Sequence, residues 1–127
     1  MATELPYEQR VALTRGVLRV LDGWALTPDD QCALLGLDQP GAVRRLRRHR
    51  LGNPLPDEPE VWTRVALLLD IDRAVNQLFP HSGAAADLWV TTPRVKFARR
   101  APLELMLAGG VEGIRRVARS LDNLDLL

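Results

Sequence analysis

Residues 26–53 read LTPDDQCALLGLDQPGAVRRLRRHRLGN, and the punctuation of this stretch decides the fold class. Thr27 is a good N-cap, Pro28 fits the first helical position, and Asp29 and Asp30 complement the positive end of a helix. Cys32 and Leu35 fall on one face, and Gly36 ends this short helix with a residue that tolerates positive φ. Leu37 is placed to plug the core behind the turn. Asp38 is a second candidate N-cap, and Pro40 fits early in a following helix whose apolar side is Val43 and Leu46. Gly52, Asn53, Pro54 and Pro56 then break the chain. Two short helices joined by a tight glycine turn are the sequence form of a helix-turn-helix.

The same stretch carries the charge. The 127 residues hold 17 basic and 16 acidic side chains, a formal net charge of +1, and Lys96 is the single lysine among the basic ones. Five arginines fall between Arg44 and Arg50, with His49 among them and no acid interrupting. An ordinary solvated helix face mixes signs, and this one does not. Guanidinium groups suit both phosphate clamping and bidentate contact with guanine. Gln39, Gly41, Ala42 and Arg45 lie toward the start of the second helix, where base edges are met. Arg47, Arg48 and Arg50 read as phosphate anchors, with Arg44 in the same block. DNA contact through Gln39, Arg44, Arg45, Arg47, Arg48 and Arg50 is the expectation.

On either side the periodicity is helical. A first helix is expected over Pro6–Asp22, with Leu13, Val17, Val20, Leu21 and Trp24 as its stripe and Gly23 ending it through a left-handed cap. That stripe exceeds what capping a core requires, and it predicts a homodimer. Asp57–Phe79 is the longest periodic run, Ala84–Trp89 a short helix, and Thr91–Arg100 irregular. Pro102–Leu107 is helical up to a break at Gly109-Gly110. The last helix steps through Val111, Ile114, Val117, Leu121 and Leu124. There is no convincing strand and no internal repeat. The expected architecture is all-α, with a helix-turn-helix part over residues 1–53 and a second helical part over 54–127, the two sharing packing because each is small.

Composition excludes several classes. Hydrophobic residues at 46% and charged residues at 26% are those of a globular chain and not of a disordered one. The single cysteine, Cys32, excludes an internal disulfide. No apolar run reaches the ~18 residues of a membrane span. MATELPYEQR lacks the basic and apolar regions of a signal peptide, so a cytoplasmic protein is expected. The glycine-rich pieces AGGVEG and HSGAAA lack a phosphate-loop lysine. Asp70 and Asp72 point to different faces of a helix, and His49 and His81 have no partners at metal-ligand spacing. Catalysis, a cofactor and a metal are therefore not expected.

The segment LWVTTPRVKFARRAPLELMLAGGVEGIRRVARSLDNL is sharper. Trp89, a loop closing in Pro102-Leu103-Glu104-Leu105, Gly109-Gly110 and a helix running to Leu121-Asp122 resemble the toxin-binding domain of the Xre/MbcA/ParS antitoxin family. The preceding helix pair is similar to that family's DNA-binding region, so the resemblance spans roughly residues 25–125. It departs in the loop, where the family often has Asn and Gly and this chain has Thr91, Thr92, Arg99 and Arg100. The resemblance implies an antitoxin whose partner is a RES-domain toxin acting on NAD. It would cover the NAD site with its C-terminal part and repress its own operon by binding operator DNA. On this reading Trp89, Phe97, Arg99, Arg100, Leu103, Glu104, Arg115 and Arg116 contact the toxin, with Leu105, Met106 and Leu107 adding apolar surface. Leu126 and Leu127, an apolar pair running off the last helix, join them. Two other classes stay open: a stand-alone helix-turn-helix regulator whose C-terminal half dimerises, and an adaptor that no longer reads DNA.

Overall fold

A computed structural model of the chain describes residues 5–122. Leu124, Leu126 and Leu127 lie outside the described residues. The elements are α1 (Tyr7–Gly23), α2 (Pro28–Leu35), α3 (Ala42–Arg50), α4 (Pro59–Leu78), α5 (Gly83–Thr91), a single 3-10 turn (Val95–Phe97) and α6 (Pro102–Asp122). Among the described residues the only β pairing is an isolated bridge between Arg94 and Arg100. The fold is all-α. No helix among the described residues is long and apolar enough to cross a membrane.

The chain forms two compact units, one ending at Ala66 and one beginning at Leu67, both inside α4. In the first, α1 buries Val17, Leu18, Leu21 and Trp24, and α2 buries Cys32, Leu34 and Leu35. Ala42 and Leu46 close α3 onto them. The α1 stripe that suggested a dimer is thus largely spent inside its own chain. The cap at Gly23 is a correction. Helix α1 runs through Gly23, and the Trp24 amide donates to the Val20 carbonyl at 3.1 Å. The left-handed residue is Ala25, at φ 59. Carrying the helix onward seats Trp24, 3% exposed, in the core.

Helix α2 starts and ends as its residues dictate. The Asp30 amide donates to Thr27 Oγ1 at 3.1 Å, and Gly36 closes the helix at φ 77. The next start differs from expectation. Asp38, Gln39 and Pro40 all belong to the turn, and Gly41, at φ 83, is the N-cap of α3. A left-handed Gly41 cannot continue a helix begun at Asp38, so α3 begins at Ala42.

The Gly52–Pro56 break is not where the compact units divide. Leu55 is fully buried, and its amide donates to Oγ1 of the buried Thr14 at 3.0 Å. Trp62 Nε1 donates to the Pro56 carbonyl at 2.8 Å. These bonds tie the Pro-rich segment into the first unit.

In the second unit Leu68, Ile71 and Val75 of α4 join Ala86, Trp89 and Val90 of α5 in a core completed by α6. Ser82 caps α5, accepting from the Ala85 amide at 3.1 Å. Helix α6 has two arms, separated by Gly110 at φ 61 and ψ −144. That backbone is open to glycine and strained for other residues. Beyond the reversal, Gly113 abuts the first arm: an added Cβ would fall on the Leu105 carbonyl oxygen and within 3.3 Å of Met106 Cα.

Gly113→Ala is expected to lose about 1–3 kcal/mol or more, because backbone rather than a pliable side chain blocks the methyl group. Gly109→Ala, whose Cβ meets nothing within 4 Å, is expected to gain about 0.5–1 kcal/mol. Thermal melts of the two variants check the pair, and equal melting temperatures would refute the close approach.

Candidate functional site

The first surface is built on α3. Leu46, 2% exposed, faces inward, and Arg44, Arg45, Arg47 and Arg48 are exposed around it. Val43, at 43%, sits among them. Arg50 behaves differently. Its guanidinium donates to Asp22 Oδ2 at 2.5 Å and to Gln31 Oε1 at 2.5 Å. Gln31, 2% exposed, also donates through Nε2 to Asp22 Oδ1 at 3.0 Å and to the Leu26 carbonyl at 3.3 Å. One guanidinium therefore ties the end of α3 to α1 and α2, and Arg50 is a brace. His49 Nδ1–H donates to the Asn53 carbonyl at 3.0 Å, which closes the helix end.

An open depression beside the turn is lined by Cys32, Leu37, Gln39, Ala42 and Arg44, among others. Cys32 itself is core, 4% exposed. Burial, and then the charge of Asp29, push its thiol pKa up, with Arg45 pulling the other way. A thiol so shifted is a poor nucleophile. The carboxylates offer no better. Asp70 pairs with Arg73 at 3.3 Å. Asp72 is pushed up by burial, an effect opposed by the Asn76 side chain, whose Nδ2 donates to it at 3.1 Å. Among the described residues no group of three or more His, Cys, Asp or Glu can hold a metal ion.

The second surface is the connection from α5 to α6. Arg94 organises it. Its amide donates to the Arg100 carbonyl at 3.1 Å, and its own carbonyl accepts from the amides of Phe97 at 3.0 Å and Arg99 at 2.8 Å. The loop closes through Ala98 at φ 57 and Arg99 at φ 65. A non-glycine residue in the left-handed region costs about 1–2 kcal/mol. The Arg94 guanidinium lies 5.1 Å from the Trp89 ring centroid, and its Nε is buried with no hydrogen-bond partner. Burial pulls its pKa below the ordinary value. Lys96 and Arg116 flank the Phe97 ring at 6.0 and 5.8 Å. This places the second arm of α6 beside the loop.

Several expected partner contacts prove to be core. Trp89 is 7% exposed and Phe97 3%, and Leu105 and Met106 are also buried. These residues shape the surface from beneath and do not form it. Leu103 and Leu107 are half-buried. Arg99, Arg100, Glu104 and Arg116 are exposed, and Arg115 is partly so. Arg100 pairs with Glu104 and Arg115 with Glu112, each at 3.6 Å. The large apolar side chains that do face outward here are Leu88, at 63%, and Val95, at 84%. Sequence reading passed over both. For Leu88 the available signal was helical phase, since Ala86, Trp89 and Val90 share one face and Leu88 is out of step with them. No spacing rule marks Val95, which opens a 3-10 turn in an irregular stretch.

Residues 74–125, which hold this loop and α6, match the antitoxin Xre/MbcA/ParS C-terminal toxin-binding domain. The chain belongs to this antitoxin family. The matched domain binds a toxin and is not catalytic. The antitoxin is also similar to the uncharacterized protein y4oB of Sinorhizobium fredii (strain NBRC 101917 / NGR234). The two are 35% identical over 104 residues, which cover 82% of this chain and 77% of that protein.

Arg50→Ala in the antitoxin is expected to lower stability by about 1–2 kcal/mol, a charged hydrogen-bond pair discounted for partial exposure. Arg48→Ala is expected to stay within about 0.5 kcal/mol of the parent. Urea denaturation separates them, and equal midpoints would make Arg50 one more solvated arginine.

Proposed function

We propose that this antitoxin neutralises a RES-domain toxin that acts on NAD, by covering its active site, and that it represses its own operon in the cytoplasm through α3. The family match over residues 74–125 carries the toxin half of this reading. Co-expression with a RES-domain toxin encoded beside it tests that half. Copurification and restored growth are expected, and failure of both would refute it. Arg115 and Arg116, on the second arm of α6, are read as meeting acidic groups at the rim of the NAD site. The double variant Arg115→Glu, Arg116→Glu should keep its helicity and lose neutralisation. Unchanged rescue of growth would put the contact on another face.

The DNA half is supported by the four exposed arginines Arg44, Arg45, Arg47 and Arg48 on a helix that follows a glycine turn. Gln39, from the turn, stands beside them as a base contact. A helix of nine residues meets few base edges, so a homodimer reading paired half-sites is part of this proposal. Arg47→Glu with Arg48→Glu should weaken binding to operator and random duplex alike, because phosphates are blind to sequence. The double variant should also flatten the salt dependence, by about 0.9 in log–log slope for each phosphate no longer neutralised. Arg45→Ala should cost about 1–3 kcal/mol on operator alone if it reads a guanine. Electrophoretic shifts at two salt concentrations measure both effects. Binding unchanged in the Glu pair would reduce α3 to a solvated face.

A further inference from the structure

We propose that Val95, at the tip of the Arg94–Arg100 loop, is the anchor the antitoxin inserts into an apolar pocket rimmed by carboxylates on its toxin; this rests on the toxin-binding reading above. The tip has the form of an anchor. Val95 is 84% exposed, while Phe97, two residues on, is 3% exposed and roots the loop in the core. Of the large apolar side chains exposed among the described residues, Val95 is the most exposed, above Leu51 at 79%, Leu88 at 63%, Tyr7 at 58% and Val43 at 43%.

The loop holds its shape before any partner arrives. The Arg94 carbonyl accepts two amides, its own amide reaches Arg100, and its guanidinium lies against the Trp89 ring. Ala98 and Arg99 keep a left-handed backbone without glycine. Valine has a single, stiff χ1. Little freedom therefore remains to be lost when the tip is buried, which is the condition under which one side chain gives the most affinity.

Charge selects the occupant. Residues 88–103 contain Arg94, Lys96, Arg99 and Arg100 and no Asp or Glu. Arg99 is exposed beside the tip, whereas Arg100 is partly answered by Glu104. A matching pocket must bring carboxylates of its own. A second copy of this loop would set cation against cation. A phosphate backbone would satisfy Arg99 and offer Val95 nothing.

The test measures affinity of the full chain for a catalytically inactive variant of the protein encoded beside it, which the reading above expects to be a RES-domain toxin. Val95→Asp is expected to weaken binding at least 30-fold and Val95→Ala about tenfold, with melting temperatures unchanged because the side chain is in water. Val95→Ile should retain affinity. Arg99→Gln should slow association and make it less sensitive to salt. Leu51→Asp, at the 79% exposed apolar residue after α3, should leave toxin affinity unchanged. Val95→Asp binding within threefold of the parent would overturn the proposal. So would a fall in the mass of the chain alone on Val95→Asp, which marks the tip as a contact between copies. Loss of DNA binding with toxin affinity intact would overturn it in favour of nucleic acid. If the parent chain itself does not bind the toxin, the antitoxin reading fails first and the anchor with it.

Discussion

Gly113 lies against the backbone of Leu105 and Met106, and the second unit is organised by that contact. In an uninterrupted helix the eight-residue step from Leu105 to Gly113 would separate the two by about 12 Å along the axis. They touch because Gly110 turns the chain back through a conformation reserved for glycine. The reversal lets Leu105 and Met106 on one arm and Ile114, Val117 and Leu121 on the other contribute to the same core. It also carries Arg116 to the Phe97 ring, so the loop before α6 and the arm after the reversal meet in one surface. A side chain at position 113 would separate the arms, and the loop would lose the support beneath it.

The first unit solves a different problem, how to fix a short and strongly cationic helix. Helix α3 has only two buried side chains, Ala42 and Leu46. Like charges along its outer face repel one another. Burial of so little apolar surface leaves the helix end to be held by polar contacts, and Arg50, Gln31 and Asp22 supply them. The network has one carboxylate, one amide and one guanidinium, with donors and acceptors matched. Gln31 is buried and satisfied on both its oxygen and its nitrogen, so the unit carries a polar core residue without leaving an orphan. Arginines in one uninterrupted block thus divide into a fastener and a set left in solvent.

Local chemistry was legible in the sequence, and contacts between distant segments were not. Thr27 and Gly36 bound α2 as capping rules require, and the Gly109-Gly110 pair marks the reversal. Asp38 and Pro40 mislead because each suits a helix start, yet Gly41 in the left-handed region overrides both. Gly52–Pro56 has the composition of a linker. What makes it part of the first unit is the bond from Leu55 to Thr14, 41 residues away. Trp89 and Phe97 illustrate the same limit at the site: the family resemblance marks both as contact residues, Trp89 at the end of an expected helix and Phe97 in an irregular, basic stretch, and burial is a property only of the folded chain. The exposed α3 arginines were read from charge alone, but the bracing role of Arg50 needed the positions of Asp22 and Gln31.

The loop from Arg94 to Arg100 makes a tight turn through left-handed backbone at Ala98 and Arg99 and contains no glycine. Glycine reaches the left-handed region without strain and also gives the unfolded chain more freedom to lose. Ala98 and Arg99 reverse that balance: the folded loop is strained, and the unfolded one is less entropic. The strain persists because Arg94 holds the loop from several sides at once. Its two backbone groups make three hydrogen bonds within the loop, and its guanidinium lies against Trp89. The orphaned Nε is the cost of that position. A guanidinium carries its charge at every physiological pH even when burial pulls its pKa down. Loss of charge on the guanidinium is therefore not a route by which pH within the physiological range undoes its contact with Trp89.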